Sequence, residues 1–411
     1  MNISPRILFL ATSANSTSGG GRTRIIDLAR LVFQNGIQPM ILCFLRGDQL
    51  KEGFRSLLAA RKALEKEAAC KVLYFPQIPF IRFSALYRIN NYYCAIILLL
   101  VSRINKVDLI FGHGQKAGYL GIVTRRINKR LKIITDMQGE LSEEAKYGID
   151  PSKIPDQIKR IEFEQFSTIK GSNWIIFVSH AMQDHFENKY DLSITNCSVI
   201  PCAVMDIPLM SYEERNQSRL KEGLQDKFVV CYAGSAEEYQ LPEEMCKIYE
   251  KILLYLPSAF FQILTPQGSV FVQYLHALGI HPNNYKILNI PHTEVFKYLQ
   301  IADIGLLLRN SSLVNRVASP TKFAEYCIAG LPVLMTDAIG DFSDIVKEHE
   351  IGMIYDPSAL DVDKRMIDFL SNIHENRSEY YYRINSYARE YLTWDVVGPR
   401  LVNRLMELAD Q

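Results

Sequence analysis

The chain has no CxxC pair, no His/Cys cluster at metal-ligand spacing and no excess of charge of either sign. Each absence removes a class of protein. The eight cysteines, at 43, 70, 94, 197, 202, 231, 246 and 327, lie mostly in apolar runs and read as buried reduced thiols of a cytosolic protein. A net charge of +1 offers no basic footprint for nucleic acid. The longest apolar stretch, YYCAIILLLV (92–101), is well short of the roughly 20 residues that span a bilayer and reads first as a core helix. The opening MNISPRILFLATSA lacks the long apolar core and cleavage site of a signal peptide and reads as a first strand. Apolar residues at 48% and charged residues at 22% are ordinary for a globular chain, and 411 residues are long for one core, so two domains are expected.

Short apolar, β-branched runs alternate with helical periodicity: RILFLAT, PMILCFL, KVDLIFGHG, LKIITDMQG, NWIIFVS and CSVIPCAV read as strands in the first half. Around 205–227 the chain turns polar, with the composition of a linker or boundary, and alternation then restarts with FVVCYAGS, AFFQILTP, YKILNI, DIGLLLR, LPVLMT and IGMIY. Repeated βα units imply parallel sheets flanked by helices, an α/β fold with two doubly wound domains whose strand carboxyl ends bind ligands. The expected domains are 1–205 and 206–390, with a helix over 391–411 returning toward the first.

Several connections carry chemistry. TSANSTSGGGRTR (12–24) joins the first strand to the first helix, and Gly20 and Gly21 allow close backbone approach of an anion. It is not GxGxxG, and no acidic residue ends the second strand, so a dinucleotide site is not expected; the loop reads as lining a cleft or as a flexible turn. His113 sits between two glycines after a strand and is either structural or a cleft residue. Asp136, Gln138 and Glu140 follow another strand; Asp136 either bonds neighbouring amides or faces a ligand. Gly234 and Ser235 end a strand where backbone can approach a ligand. His292 opens a helical run, and Arg309 stands beyond the strand after it, placed to clamp phosphate or to form a surface ion pair.

In NRVASPTKFAEYCIAGLPVLMT (315–336), Ser319 reads as an N-cap and Pro320 as the first helical residue, so helix amides, Thr321 and Lys322 converge where an anion would bind. The wider segment around 79–106 interleaves Arg82, Arg88, Arg103 and Lys106 with aromatics, a composition that suits acidic lipid headgroups.

Taken in order, SGGGRTR, VDLIFGHGQKAGYLG, FVSHAMQDHF, VIPCAV, VCYAGS, YLQIADIGLLLR and SPTKFAEYCIAGLPVL resemble the retaining nucleotide-sugar glycosyltransferases of GT-B fold, most like glycosyltransferase family 4 (glycosyl transferases group 1). The resemblance implies two Rossmann-like domains facing a cleft, and transfer of a sugar from a UDP- or GDP-linked donor to a saccharide or lipid-linked saccharide acceptor, with no metal required. It implies that Glu325 holds the ribose hydroxyls and that Gly20, Gly21, Gly234, Ser235, Arg309, Ser319, Pro320, Thr321 and Lys322 line the donor. His113, Arg309 and Lys322 are then the catalytic candidates, with Asp136, Gln138 and Glu140 on the acceptor or sugar side. A cytoplasmic enzyme, peripheral on the inner face of the membrane and serving surface polysaccharide or glycan synthesis, is expected.

Two departures matter. The family's earlier Glu, eight positions before Glu325, is Val317 here, and AEEYQ stands where many members carry an Arg…Lys pair. Arg309 and Lys322 are expected to neutralise the phosphates instead, with Asn315 or Ser319 meeting the sugar. No DxD pair stands at a strand end; DVD (361–363) reads as a helix start. A nucleotide-sugar 2-epimerase and a non-catalytic nucleotide-binding protein are the rival readings.

Overall fold

The computed structural model describes residues 4–12, 20–51, 53–78, 84–146, 154–337 and 339–411; the start of the glycine-rich loop and Arg82 lie outside them. The chain divides into two compact units, Met1–Pro201 with Val397–Gln411, and Cys202–Val396. The expected boundaries stood at 205 and 390. The final helix, Trp394–Asp410, begins in the second unit and ends in the first, where Gly398 lets it sit against Leu31.

The first unit holds a parallel sheet of β1 (Arg6–Ala11), β2 (Gln38–Leu45), β3 (Lys71–Pro76), β4 (Leu109–His113), β5 (Lys132–Met137), β6 (Trp174–Phe177) and β7 (Cys197–Val199), ordered β3-β2-β1-β4-β5-β6-β7. β1 pairs with β2 on one side, Ile7 opposite Pro39, and with β4 on the other, Ile7 opposite Leu109. The connections after β1 and β4 therefore leave in opposite directions and open a crevice at the carboxyl ends of those two strands.

The second unit repeats this with β8 (Phe228–Ala233), β9 (Ala259–Leu264), β10 (Tyr285–Leu288), β11 (Ile304–Leu307), β12 (Val333–Met335) and β13 (Gly352–Ile354), in the order β10-β9-β8-β11-β12-β13. Its switch point lies between β8 and β11. Every residue of β8, β11 and β12 is buried, as continuous apolar strands covered by helices on both faces must be.

Two expectations need correction. The polar stretch read as a linker contains the helix Tyr212–Lys221, closed by a Ser211/Glu214 capping box. Its Arg215 and Arg219 are fully buried, at 2.7 and 3.1 Å from the carboxylate oxygens of Asp303, so this helix is part of the second unit's core architecture. The apolar run 92–101 lies in the helix Ser84–Ile104, and only one face of it is core: Cys94, Ala95, Leu98, Leu99 and Val101 are buried, while Ile89, Tyr92, Ile96, Leu100 and Ile104 stand in solvent.

All eight cysteines are free thiols, five of them buried. Burial pushes Cys43, Cys94, Cys231 and Cys246 up to about 12, which makes them inert packing groups.

Candidate active site

In the second unit the helix Thr321–Ile328 is pinned across the switch point by Tyr326. The Tyr326 hydroxyl accepts from the Ala233 amide at the end of β8 (3.0 Å) and donates to the Leu306 carbonyl of β11 (3.2 Å). Its ring lies over Gly305, where any Cβ would come within 2.5 Å of it. The helix N-terminus is thereby fixed at the carboxyl ends of both strands.

Ser319 does not cap this helix. Its hydroxyl accepts from the Cys202 amide (2.9 Å), and Pro320 occupies the cap position without a side-chain bond, so helical residues begin at Thr321. The first-turn amides lack a side-chain cap, which leaves the positive end of the helix to an outside acceptor.

Lys322 reaches back from that first turn to β8. Its ammonium donates to the Tyr232 hydroxyl (3.1 Å) and to Gln240 Oε1, and lies 4.5 Å from the centre of the Tyr232 ring. The space it uses exists because Gly234 has no side chain: a Cβ there would come within 2.2 Å of Nζ, and the glycine's φ of +148° suits no other residue well. Gln240 also donates to Ser235 Oγ (2.9 Å), so Ser235 belongs to the same network.

Arg309 follows β11. Thr336 brackets its backbone, accepting from the amide (2.8 Å) and donating to the carbonyl (2.7 Å), and its guanidinium donates to Asn315 Oδ1 (3.0 Å) beside the Tyr239 ring. Its Nε is buried with no partner. Burial, then the Arg309 charge, push the Lys322 ammonium well below its ordinary range, against the pull of Glu325. Among the described residues neither cation forms an ion pair. Two neighbouring cations, neither of them in an ion pair and one with an unused N–H, are a site that an anion would complete.

Glu325, one turn on, is buried and takes a contact of 2.9 Å from Nε2 of the exposed His292. Val317, eight positions before Glu325, is buried apolar packing.

In the first unit the switch point gathers a different set. His113 ends β4 opposite Asp136 in β5. Its Nε2 is 2.7 Å from the carbonyl of Gly21, in the first turn of the helix Gly20–Gln34. A carbonyl only accepts, so Nε2 carries a proton, while Nδ1 lies 2.7 Å from the Gln138 amide nitrogen and 3.5 Å from Asp136 Oδ2. Gln138 also donates to Asp136 Oδ2 (2.6 Å).

Asp136 is fully buried and held by Arg24 through Nε (2.9 Å) and Nη2 (2.9 Å). Burial alone would raise its pKa; the Arg24 charge and the hydrogen bond from His113 overcome that and hold it far below the carboxylate range. The side chains left at the surface of this group are His113 and Gln138. Glu140 stands apart, its oxygens accepting from Gln165 (2.8 Å), Lys189 (2.8 Å), Ser142 (2.7 Å) and the Glu143 amide (2.6 Å).

The glycines flanking His113 have a packing reason. A Cβ on Gly112 would come within 2.4 Å of the Gly118 amide, so β4 and the following helix meet backbone to backbone, and Gly114 turns between them at φ +86°. Sequence reasoning missed Arg24, Tyr232, Gln240 and Tyr326. Arg24 was visible as the second arginine of a basic loop end; nothing local marks the other three.

Residues 18–205 match the family Glycosyltransferase Family 4, and residues 214–391 match Glycosyl transferases group 1. No curated protein matches the chain in sequence. Among solved structures, Anabaena HepE in complex with UDP superimposes with a TM-score of 0.72 at 16% identity, covering 98% of this chain and all of the other. A glycosyltransferase from Rickettsia africae gives 0.68 at 14% identity, covering 100% and 98%. WaaG, a glycosyltransferase involved in lipopolysaccharide biosynthesis, gives 0.66 at 12% identity, covering 96% and 98%.

Proposed function

We propose, for a chain of GT-B fold that belongs to the glycosyltransferases of these two matched families, that it moves a sugar from a nucleoside diphosphate donor to a saccharide or lipid-linked saccharide, with retention at the anomeric carbon. The observation that carries this reading is the nearness of Lys322 and Arg309 at the β8/β11 switch point, neither in an ion pair among the described residues, under an uncapped helix start. As the bond from sugar to phosphate breaks, charge develops on the leaving diphosphate. Cations and amides already aimed at that place lower the barrier without reorganising.

Lys322, Arg309 and the Thr321–Ile328 amides bind the diphosphate, Gly234 and Ser235 admit it close to the backbone, and Glu325 accepts from the ribose hydroxyls, oriented by His292. Two cations replace a divalent metal, so turnover should persist in chelator. In the first unit the partly exposed His113, seated between Gly21 and Gln138, meets substrate hydroxyls, and the Asp136–Arg24 pair lies beneath it. UDP is the first base to test, since HepE was solved with UDP and with UDP-glucose.

Among the described residues no helix is long and apolar enough to cross a membrane. We place the enzyme in the cytoplasm, peripheral on the inner membrane face, in surface polysaccharide or glycan synthesis. The deciding experiment is a mass-spectrometric screen of UDP- and GDP-sugars with cell-membrane extract as acceptor source. Sugar transfer supports the reading, with the product's anomeric configuration by NMR testing retention. Isomerised free donor would instead indicate an epimerase, and binding without turnover a non-catalytic protein.

A further inference from the structure

From Ala68 to Thr135 the sequence carries eleven Lys and Arg but a single carboxylate, Asp108, in a chain that totals 46 cations and 45 acids. Acids spread evenly would put about seven carboxylates in a stretch of that length. The first unit brings this stretch together, because the helices Ser84–Ile104 and Gln115–Ile127 pack on each other and neither contains an acidic residue.

On the outer face of the Ser84–Ile104 helix, Ile89, Tyr92, Ile96, Leu100 and Ile104 are 51–78% exposed. Their spacing of three and four residues makes one continuous apolar stripe. The inner face is occupied: Tyr87 bonds Glu164 under the Arg160 guanidinium, and the Lys116 ammonium interacts with the same Glu164. Arg88, Arg103 and Lys106 are exposed along the stripe.

At its C-terminal end the helix runs through Lys106 into Val107 and Asp108, which border a cavity of about 880 Å³ also lined by Arg125, Arg126, Lys129, Arg130 and Lys132. Among the described residues none of those five cations forms an ion pair. Arg125 donates to Asn173, and Asp108 accepts from the Arg6 amide.

We infer that this face of the first unit is a docking surface for an anionic lipid bilayer, with the stripe entering the boundary between headgroups and acyl chains and the basic cavity receiving lipid phosphate. An amphipathic helix with an acid-free flank and aliphatic residues plus one Tyr on its exposed face is built to lie in that plane. Arg and Lys beside the stripe lay their stems along apolar surface while their heads reach phosphate. The charge complementarity selects a bilayer over a protein partner, because a negative surface extending over the whole face answers every cation at once. The inference rests on the lipid-linked acceptor reading for its purpose only, and attachment is measured without turnover, so the two can fail separately.

The test is flotation of the full chain with phosphatidylcholine vesicles, with and without phosphatidylglycerol, at low and high salt. Binding should require the anionic lipid and weaken in salt. Reversing three charges, Arg126→Glu with Lys129→Glu and Arg130→Glu, should cut partitioning at least about a hundredfold, roughly fivefold for each charge. Ile96→Ser with Leu100→Ser, a change on exposed positions only, should reduce the binding that remains at high salt. Unchanged thermal unfolding of both variants shows that the fold survives. No binding of the native chain, or binding that both variants leave intact, overturns the inference. So does binding of free pyrophosphate at the cavity without vesicle binding, or a dimer dissolved by the stripe substitutions in a chain that ignores vesicles.

Discussion

Lys322 is the residue on which the donor site turns. Removing one charged hydrogen bond to phosphate should cost on the order of 1.5–3 kcal/mol, so Lys322→Ala is expected to weaken UDP binding by that amount in calorimetry. Unchanged affinity in both Lys322→Ala and Arg309→Ala, with folding intact, would remove both from the site. The pH dependence has a definite sign. Burial and Arg309 depress the ammonium's pKa in the free protein, and a bound diphosphate favours the charged form and raises it again. Between the two values binding takes up a proton, and affinity falls as pH rises. Titrations in buffers of different ionisation enthalpy read that proton directly. Gly234→Ala should act through Lys322 as well, since its Cβ would occupy the place of Nζ; donor affinity should drop in a protein that still folds.

At the scale of elements, the helix Thr321–Ile328 is short and has no side-chain cap, so its position depends on the Tyr326 hydroxyl. Tyr326→Phe removes the bridge between β8 and β11 and leaves the buried Ala233 amide unpaired, for a loss of about 1–3 kcal/mol in denaturant unfolding. UDP affinity should fall with it, because the helix that presents Lys322 is no longer pinned. A variant that loses stability but binds UDP normally would show that packing alone sets the helix. The helix Tyr212–Lys221 depends on Asp303 in the same way. Asp303→Asn leaves two fully buried guanidiniums without their counter-charge and should cost about 3–5 kcal/mol.

For the whole molecule the consequence is acid sensitivity. Asp136 and Asp303 are fully buried, and their arginine partners hold both below the carboxylate range despite burial; Glu140 is held down by Lys189 in the same manner. Their stabilisation is complete above the ordinary carboxylate pKa of about 4 and is lost as pH falls from there toward the folded values, because the unfolded chain then binds protons that the native chain does not. Glu144 and Glu164, raised by burial, act in the opposite sense. Unfolding free energy should therefore fall steeply below about pH 4. Asp136→Asn should flatten that slope while lowering stability at neutral pH, a combination that urea titrations at several pH values would show.

The sequence by itself determined the class and most of the strands, because a strand buried on both faces must be a continuous apolar run, and VVCYA or IGLLL reads so without any partner. It also put Gly234 and Arg309 at strand ends and Lys322 at a helix start, where the structure has them, since connections in a parallel sheet put such residues at the carboxyl edge. β3 escaped notice: it is an edge strand in which Val72 alone is fully buried. The tertiary structure alone decided which groups meet. Arg24 reaches Asp136 across 112 positions and Lys322 reaches Gln240 across 82, distances over which no local pattern carries information. It also turned Ser319 from a cap into a tie to Cys202, and a polar linker into a helix anchored on Asp303 by two buried arginines. Local sequence reports burial and backbone preference; strand order and the charge pairs across it are settled by packing among segments far apart in the chain.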